Sequence, residues 1–175
     1  MYKVNDNIIY KREVCKVKEI LNNYLFNKDY YLLSPLSDDS LTIKIPTDSK
    51  EIRPLISKEE ILKLIEKMPL VKVVEADTKS LESIYKNLLL SGDHEDLIKI
   101  IKTTYLRNKE RIEKSKKTTD KDVYYFNLAE KYLYQEFQVI LGLTYDETKE
   151  FVIKSVSNSL SKWFFGIIDM LQCHI

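Results

Sequence analysis

"IRPLISKEEILKLIEKMP" (Ile52–Pro69) holds the change of texture that decides the fold class. Before it, apolar residues alternate with polar ones. After it, they recur at helical spacing. Ser57-Lys-Glu-Glu60 is a capping box: the serine oxygen takes a free amide of the first turn and the glutamate reaches back. Ile61, Leu62, Leu64 and Ile65 then give a helix one apolar face, and Pro69 ends it.

Upstream, Asn7–Tyr10, Val14–Leu21, Asp29–Leu36 and Ser40–Ile45 are rich in β-branched and aromatic residues and read as strands. Asn22–Asn23, Asn27–Asp29 and Ser37–Asp39 are the turn signals between them. In the last strand Leu41, Ile43 and Ile45 share one face, and Thr42 and Lys44 the other. Strands this short in so few residues predict a small, strongly bent sheet or barrel. The pattern leaves the pairing order open.

Downstream, the sequence predicts helices only. Thr78–Leu90 ends before Gly92, and Asp93 caps a helix from about Glu95 to Lys116. Thr118–Asp120 opens a third helix that stops at Gly142. Thr144-Tyr-Asp-Glu147 is a second capping box, opening a helix to Ser155 or beyond. The fold class is therefore α+β, in two parts.

Composition bounds what this chain does. It has 175 residues, 44% hydrophobic and 31% charged, with a formal net charge of +1. No global field points to nucleic acid or membrane, so any such signal is local. Cys15 and Cys173 make no metal spacing and are read as reduced thiols of a cytoplasmic protein. The start MYKVNDN has no signal-peptide pattern, and Trp163–Leu171 is too short to span a bilayer.

Catalytic patterns are wanting. There is no glycine-rich phosphate loop, no nucleophile-and-base constellation and no metal spacing, so an enzyme, a cofactor and a metal are not expected. His94 reads as an exposed residue of a first helical turn, and His174 is given no role.

Charge is informative between residues 99 and 117. Lys99, Lys102, Arg107, Lys109, Arg111, Lys114, Lys116 and Lys117 face only Glu110 and Glu113, leaving +6. On a helical wheel Leu97, Ile100, Ile101, Thr104, Tyr105 and Ile112 gather on one side and most of the cations on the other. Such a stripe is either a solvated face or a surface for phosphate backbone, which carries no base code. Tyr124, Tyr125, Tyr132 and Tyr134 read first as core aromatics and second as stacking residues.

Several blocks resemble the CarD family of bacterial transcription regulators. "VNDNIIYKREVCKVKEI" (4–20) looks like its opening. "DYYLLSPL" (29–36), "LTIKIP" (41–46) and above all Ile52–Pro69 look like its N-terminal module, which transcription-repair coupling factors share. "SGDHEDLIKIIKTTYLRNKER" (91–111) and "FNLAEKYLYQEFQVIL" (126–141) are similar to its helical domain. The resemblance implies a Tudor-like barrel over 1–72 that binds the RNA polymerase β subunit, then a helical domain over 73–158 that touches promoter DNA beside the melted bubble. The tail 159–175 lies outside it.

In the family a strand matching Leu41, Thr42, Ile43, Lys44, Ile45 and Pro46 pairs with a polymerase strand, and Lys44 matches a contributing basic residue. Leu81 stands where some members place a tryptophan that wedges into the minor groove. Lys86 matches a phosphate contact. Arg107, Lys109, Arg111 and Lys114 complete the expected DNA-binding set. Asn5, and the Arg12-Glu13 turn, stand where the family usually has glycine. Two other classes remain open: an adaptor that binds polymerase or a repair factor without DNA, and an RNA-binding regulator. Oligomeric state is also open.

Overall fold

The computed structural model describes the backbone of residues 1–159 and side chains through 156. Predictions that fall on the tail, including Trp163, Cys173 and His174, lie outside the described residues. The chain is α+β and divides into two compact units, Met1–Ile56 and a second from Ser57 onward.

The first unit is a five-stranded antiparallel sheet: β1 (Asn7–Tyr10), β2 (Glu13–Leu25), β3 (Lys28–Pro35), β4 (Ile43–Pro46) and β5 (Ile52–Arg53). Their order is β4-β3-β2-β1-β5. The ladder starts at β4 and ends at β5 without joining them, so the described sheet is open. Residues that face each other across an antiparallel pair share a side of the sheet. Ile8 faces Cys15, Val17 faces Leu33, Leu33 faces Ile43, and Tyr31 faces Ile45. Ile8, Cys15, Val17, Tyr31, Leu33 and Ile45 accordingly form one buried cluster. Burial pushes the Cys15 thiol up to about 11, so it stays protonated and unreactive at neutral pH.

Turn chemistry explains the connections. Asn5 takes φ +76°, the left-handed region that a glycine would fill, and asparagine tolerates it better than most residues. Phe26 and Asn27 take φ +52° and +55°, the two-residue primed turn that matches strand twist. The expected strand Ser40–Ile45 starts late. Asp38 Oδ1 accepts from Ser40 N at 3.0 Å and from Ser40 Oγ at 2.6 Å, which holds Ser40 in the turn. Leu41 and Thr42 therefore precede β4, and Leu41 is 47% exposed rather than on the buried face.

Among its described residues the second unit has five α-helices: α1 (Lys58–Lys67), α2 (Leu81–Ser91), α3 (His94–Glu113), α4 (Asp120–Leu141) and α5 (Tyr145–Ser159). The first capping box forms as the sequence predicts, with Ser57 N donating to Glu60 Oε2 at 2.8 Å and Glu60 N to Ser57 Oγ at 3.2 Å. The second forms likewise between Thr144 and Glu147. α1 packs on α4 and α5 with Ile61 and Ile65 buried, so it belongs to the helical unit. The unit boundary thus falls earlier than the expected one at residue 72. α4 is the hub, touching all four other helices. It ends at Gly142, whose φ of +67° calls for glycine although a side chain there would meet nothing.

Candidate functional site

β4 is one of the two edge strands, paired with β3 on one side, and β5 is the other. Thr47 N donates to Asp29 O at 3.0 Å, continuing that ladder. Antiparallel bonding alternates, so Lys44 turns its N–H and C=O to the outer edge. Pro46 brings no N–H to that edge, which keeps the open stretch short. Ile45 is buried and Ile43 half-buried, anchoring the strand from below.

Lys44 is held by a residue that the sequence reading missed. Its Nζ donates to Tyr24 Oη at 2.7 Å and lies 4.6 Å from the Tyr24 ring centroid. The Tyr24 ring stands edge-on to Tyr30, with centroids 5.4 Å apart. A cation on an aromatic face gains about 0.5–1 kcal/mol at an exposed site. Asn22–Asn23 read as a turn, yet β2 runs on to Leu25, and the register shift between Leu21 and Leu25 absorbs the asparagines. The run Tyr24-Leu25-Phe26 was the available signal.

In the helical unit most of the expected cation stripe is engaged internally. Arg107 Nε lies 3.4 Å from Asp122 Oδ2, and Asp122 is buried. Thr119 Oγ1 donates to the same carboxylate at 2.7 Å, and Tyr85 Oη to its other oxygen at 3.5 Å. Lys102 Nζ donates to Pro69 O at 2.7 Å and Val71 O at 2.6 Å, fastening the connector after α1 to α3. Burial without a carboxylate holds the Lys102 amine below its usual range. Lys99 pairs with Asp96 at 2.8 Å, and Arg111 Nε donates to Lys117 O at 2.7 Å. Lys114 pairs with Glu110, both exposed.

Lys109, Lys116 and Lys117 make no side-chain hydrogen bond or ion pair among the described residues, and Lys116 and Lys117 are exposed. The positive surface thus sits at the end of α3 and in the loop to α4. Ile112 lies there too, exposed at the last turn of α3 rather than buried with the apolar face.

Leu81 is 4% exposed and lines a small cleft with Tyr85, Arg107, Thr119 and Asp122. A side chain so covered presents no wedge to a base step. Lys86 is exposed and pairs with Glu82 at 3.0 Å, and Lys121 pairs with the same glutamate. Those two lysines draw the Glu82 carboxyl below its usual range. Tyr125 is buried, whereas Tyr124 is 60% exposed and edge-on to it.

Burial also corrects the reading of His94. Its Nε2 lies 2.7 Å from Glu136 Oε2, and its side chain is only 19% exposed. α4 carries three buried acids, Asp122, Glu130 and Glu136, in contact with Arg107, Tyr145 and His94 in turn. No group of three or more His, Cys, Asp or Glu side chains is placed to hold a metal among the described residues. None of the described helices is long and apolar enough to cross a membrane. No family model matches the chain, and no curated protein matches it.

Proposed function

We propose that this protein is a non-enzymatic, cytoplasmic transcription regulator of the CarD kind, and that β4 is its polymerase-binding edge. One observation carries the reading: the strand bearing the matched residues is an edge strand of its sheet, with Lys44 on it. An open edge is a liability unless a partner strand takes it, which is β-augmentation. The Tudor-like barrel stays part of this reading, with the five-stranded antiparallel sheet as its frame. The partner is the RNA polymerase β subunit, met by Ile43–Pro46 rather than by Leu41 and Thr42.

The helical unit touches promoter DNA through Lys109, Lys114, Lys116 and Lys117, without strong base preference. Lys86 adds a phosphate contact. Its pair with Glu82 is exposed and screened by solvent, so phosphate displaces the glutamate readily. Arg107 and Leu81 are left out, being committed to the interior. Regulation follows from binding one promoter state better than another, since a ligand shifts an equilibrium only by its differential affinity.

The test is the lifetime of polymerase–promoter open complexes after competitor challenge. A lifetime changed by the protein and restored by Lys44→Glu supports the reading. Wild-type behaviour of Lys44→Glu overturns the strand pairing. The adaptor reading is favoured by one observation, the internal engagement of Lys99, Lys102, Arg107 and Arg111. A DNA affinity that falls with salt, and falls further when Lys116 and Lys117 are neutralised, counts against it.

A further inference from the structure

The tip of the β2–β3 hairpin holds three residues with left-handed backbone: Asn23 (φ +50°), Phe26 (φ +52°) and Asn27 (φ +55°). Asparagine visits this region at little cost. A bulky aromatic does not, and a residue of that kind at positive φ is a genuine outlier. The turn itself asks for Asn or Gly at the position of Phe26. Nor does burial explain the phenylalanine, since Phe26 is 91% exposed. It is thus strained in backbone and unburied in side chain, at a position where asparagine would serve the fold better.

The tip is built to present it. Asn23 N donates to Asp29 Oδ1 at 2.9 Å across the hairpin, and the Tyr24 ring packs on Tyr30. Leu25 faces Lys28 as the last rung before the turn. These contacts hold the backbone that carries Phe26, which lowers the cost of ordering the loop on binding. Tyr24 and Leu25 are also exposed, and Tyr24 carries Lys44 of β4. The tip is therefore continuous with the open edge.

We propose that the hairpin tip is a second recognition element, in which Phe26 enters an apolar pocket of the protein that pairs with β4. The inference rests on the polymerase reading above. A protein pocket fits better than a lipid surface because Asn22–Asn27 carries no charge, and interfacial anchors rely on basic residues beside their apolar ones. Lys28, next along, is paired with Asp48 at 2.7 Å.

The test compares wild type, Phe26→Asn, Phe26→Tyr and Lys44→Glu for affinity to purified bacterial RNA polymerase core enzyme, with a thermal melt of each. Phe26→Asn is expected to bind about ten-fold or more weakly, the scale of a hot-spot anchor, while melting at or above the wild-type temperature. Phe26→Tyr is expected to keep most of the affinity. If Phe26→Asn binds within about two-fold of wild type while Lys44→Glu fails, the anchor is overturned and the β4 edge stands. If wild type does not bind polymerase, both fall together. Sedimentation with phosphatidylserine vesicles, or self-association, that is lost on Phe26→Asn also overturns it, by naming a different occupant.

Discussion

The two units handle polar groups in opposite ways. The sheet unit buries an apolar cluster of Ile8, Cys15, Val17, Tyr31, Leu33 and Ile45, and leaves its cation Lys44 at the rim on an aromatic ring. The helical unit buries acids on its central helix and reaches them with partners from elsewhere: Arg107 to Asp122, His94 to Glu136, Tyr145 to Glu130. Buried polar contacts of this sort add little net stability when complete and cost much when broken, which favours one packing over others. The difference teaches where free charge is to be sought. A lysine or arginine count along α3 overstates the outward field, because the inner cations answer carboxylates and carbonyls.

Breaking each core in its own way is the strongest test of this contrast. Leu33→Ala removes buried methyl groups from the sheet cluster and is expected to cost about 3 kcal/mol. Asp122→Ala strands Arg107 and is expected to cost about 2–3 kcal/mol, below the ~3–5 kcal/mol of a fully buried pair because Arg107 is partly in water. Hydrogen exchange read segment by segment separates the two. Leu33→Ala should speed exchange in β2 and β3 and spare α4, and Asp122→Ala should do the reverse. Common acceleration in both units would mean that they unfold as one and would break the contrast.

The parts of this fold that could be read in the sequence are those written within one turn of chain. Ser57 with Glu60, Thr144 with Glu147, and Gly92 and Gly142 as terminators each act on neighbours three or four residues away. The strands over Asn7–Tyr10 and Asp29–Leu36 were legible from their local run of β-branched and aromatic residues. Misreadings arose where a distant partner decides. His94 looked exposed because Glu136 lies 42 residues on. Lys102 looked free because its acceptors, Pro69 and Val71, belong to the connector after α1. Leu41 continued an alternation by eye, while Asp38 held the chain in its turn. At the candidate edge, the strand through Ile43, Lys44 and Ile45 was legible. Tyr24, which carries Lys44, was hidden by two asparagines that a register shift absorbs.

Alkaline titration sharpens the contrast further. Burial raises Tyr85 and Tyr134 well above the ordinary tyrosine range, and nearby Asp122 and Glu130 raise them further. The folded helical unit therefore keeps protons that the unfolded chain releases near 10.0. The stability these groups contribute is complete below that pH and declines as pH climbs through and above it, by at most about 1.4 kcal/mol per pH unit for each. In the sheet unit Tyr2 and Cys15 are raised in the same sense. The tyrosinate ultraviolet band should show a late group ionising with the loss of helical exchange protection. A titration in which every tyrosine ionises before α4 opens would overturn this assignment.

The smallest expected effect is the one that locates free charge. Glu110 of α3 and Lys114, the residue just after that helix, form an exposed pair one turn apart. Solvent and salt screen such a pair, so Lys114→Ala should leave the melting temperature almost unchanged. Lys116→Ala and Lys117→Ala break no pair and should be equally silent in stability. In DNA affinity the three should act alike, each lowering the salt slope by about one phosphate's worth of released counterion. Arg107→Ala should behave in the opposite way, lowering stability through Asp122 and leaving the salt slope as it was. If Arg107→Ala instead changes the slope as the loop lysines do, the inward assignment of that guanidinium fails. The boundary between interior and surface charge on α3 then moves toward its N-terminal half.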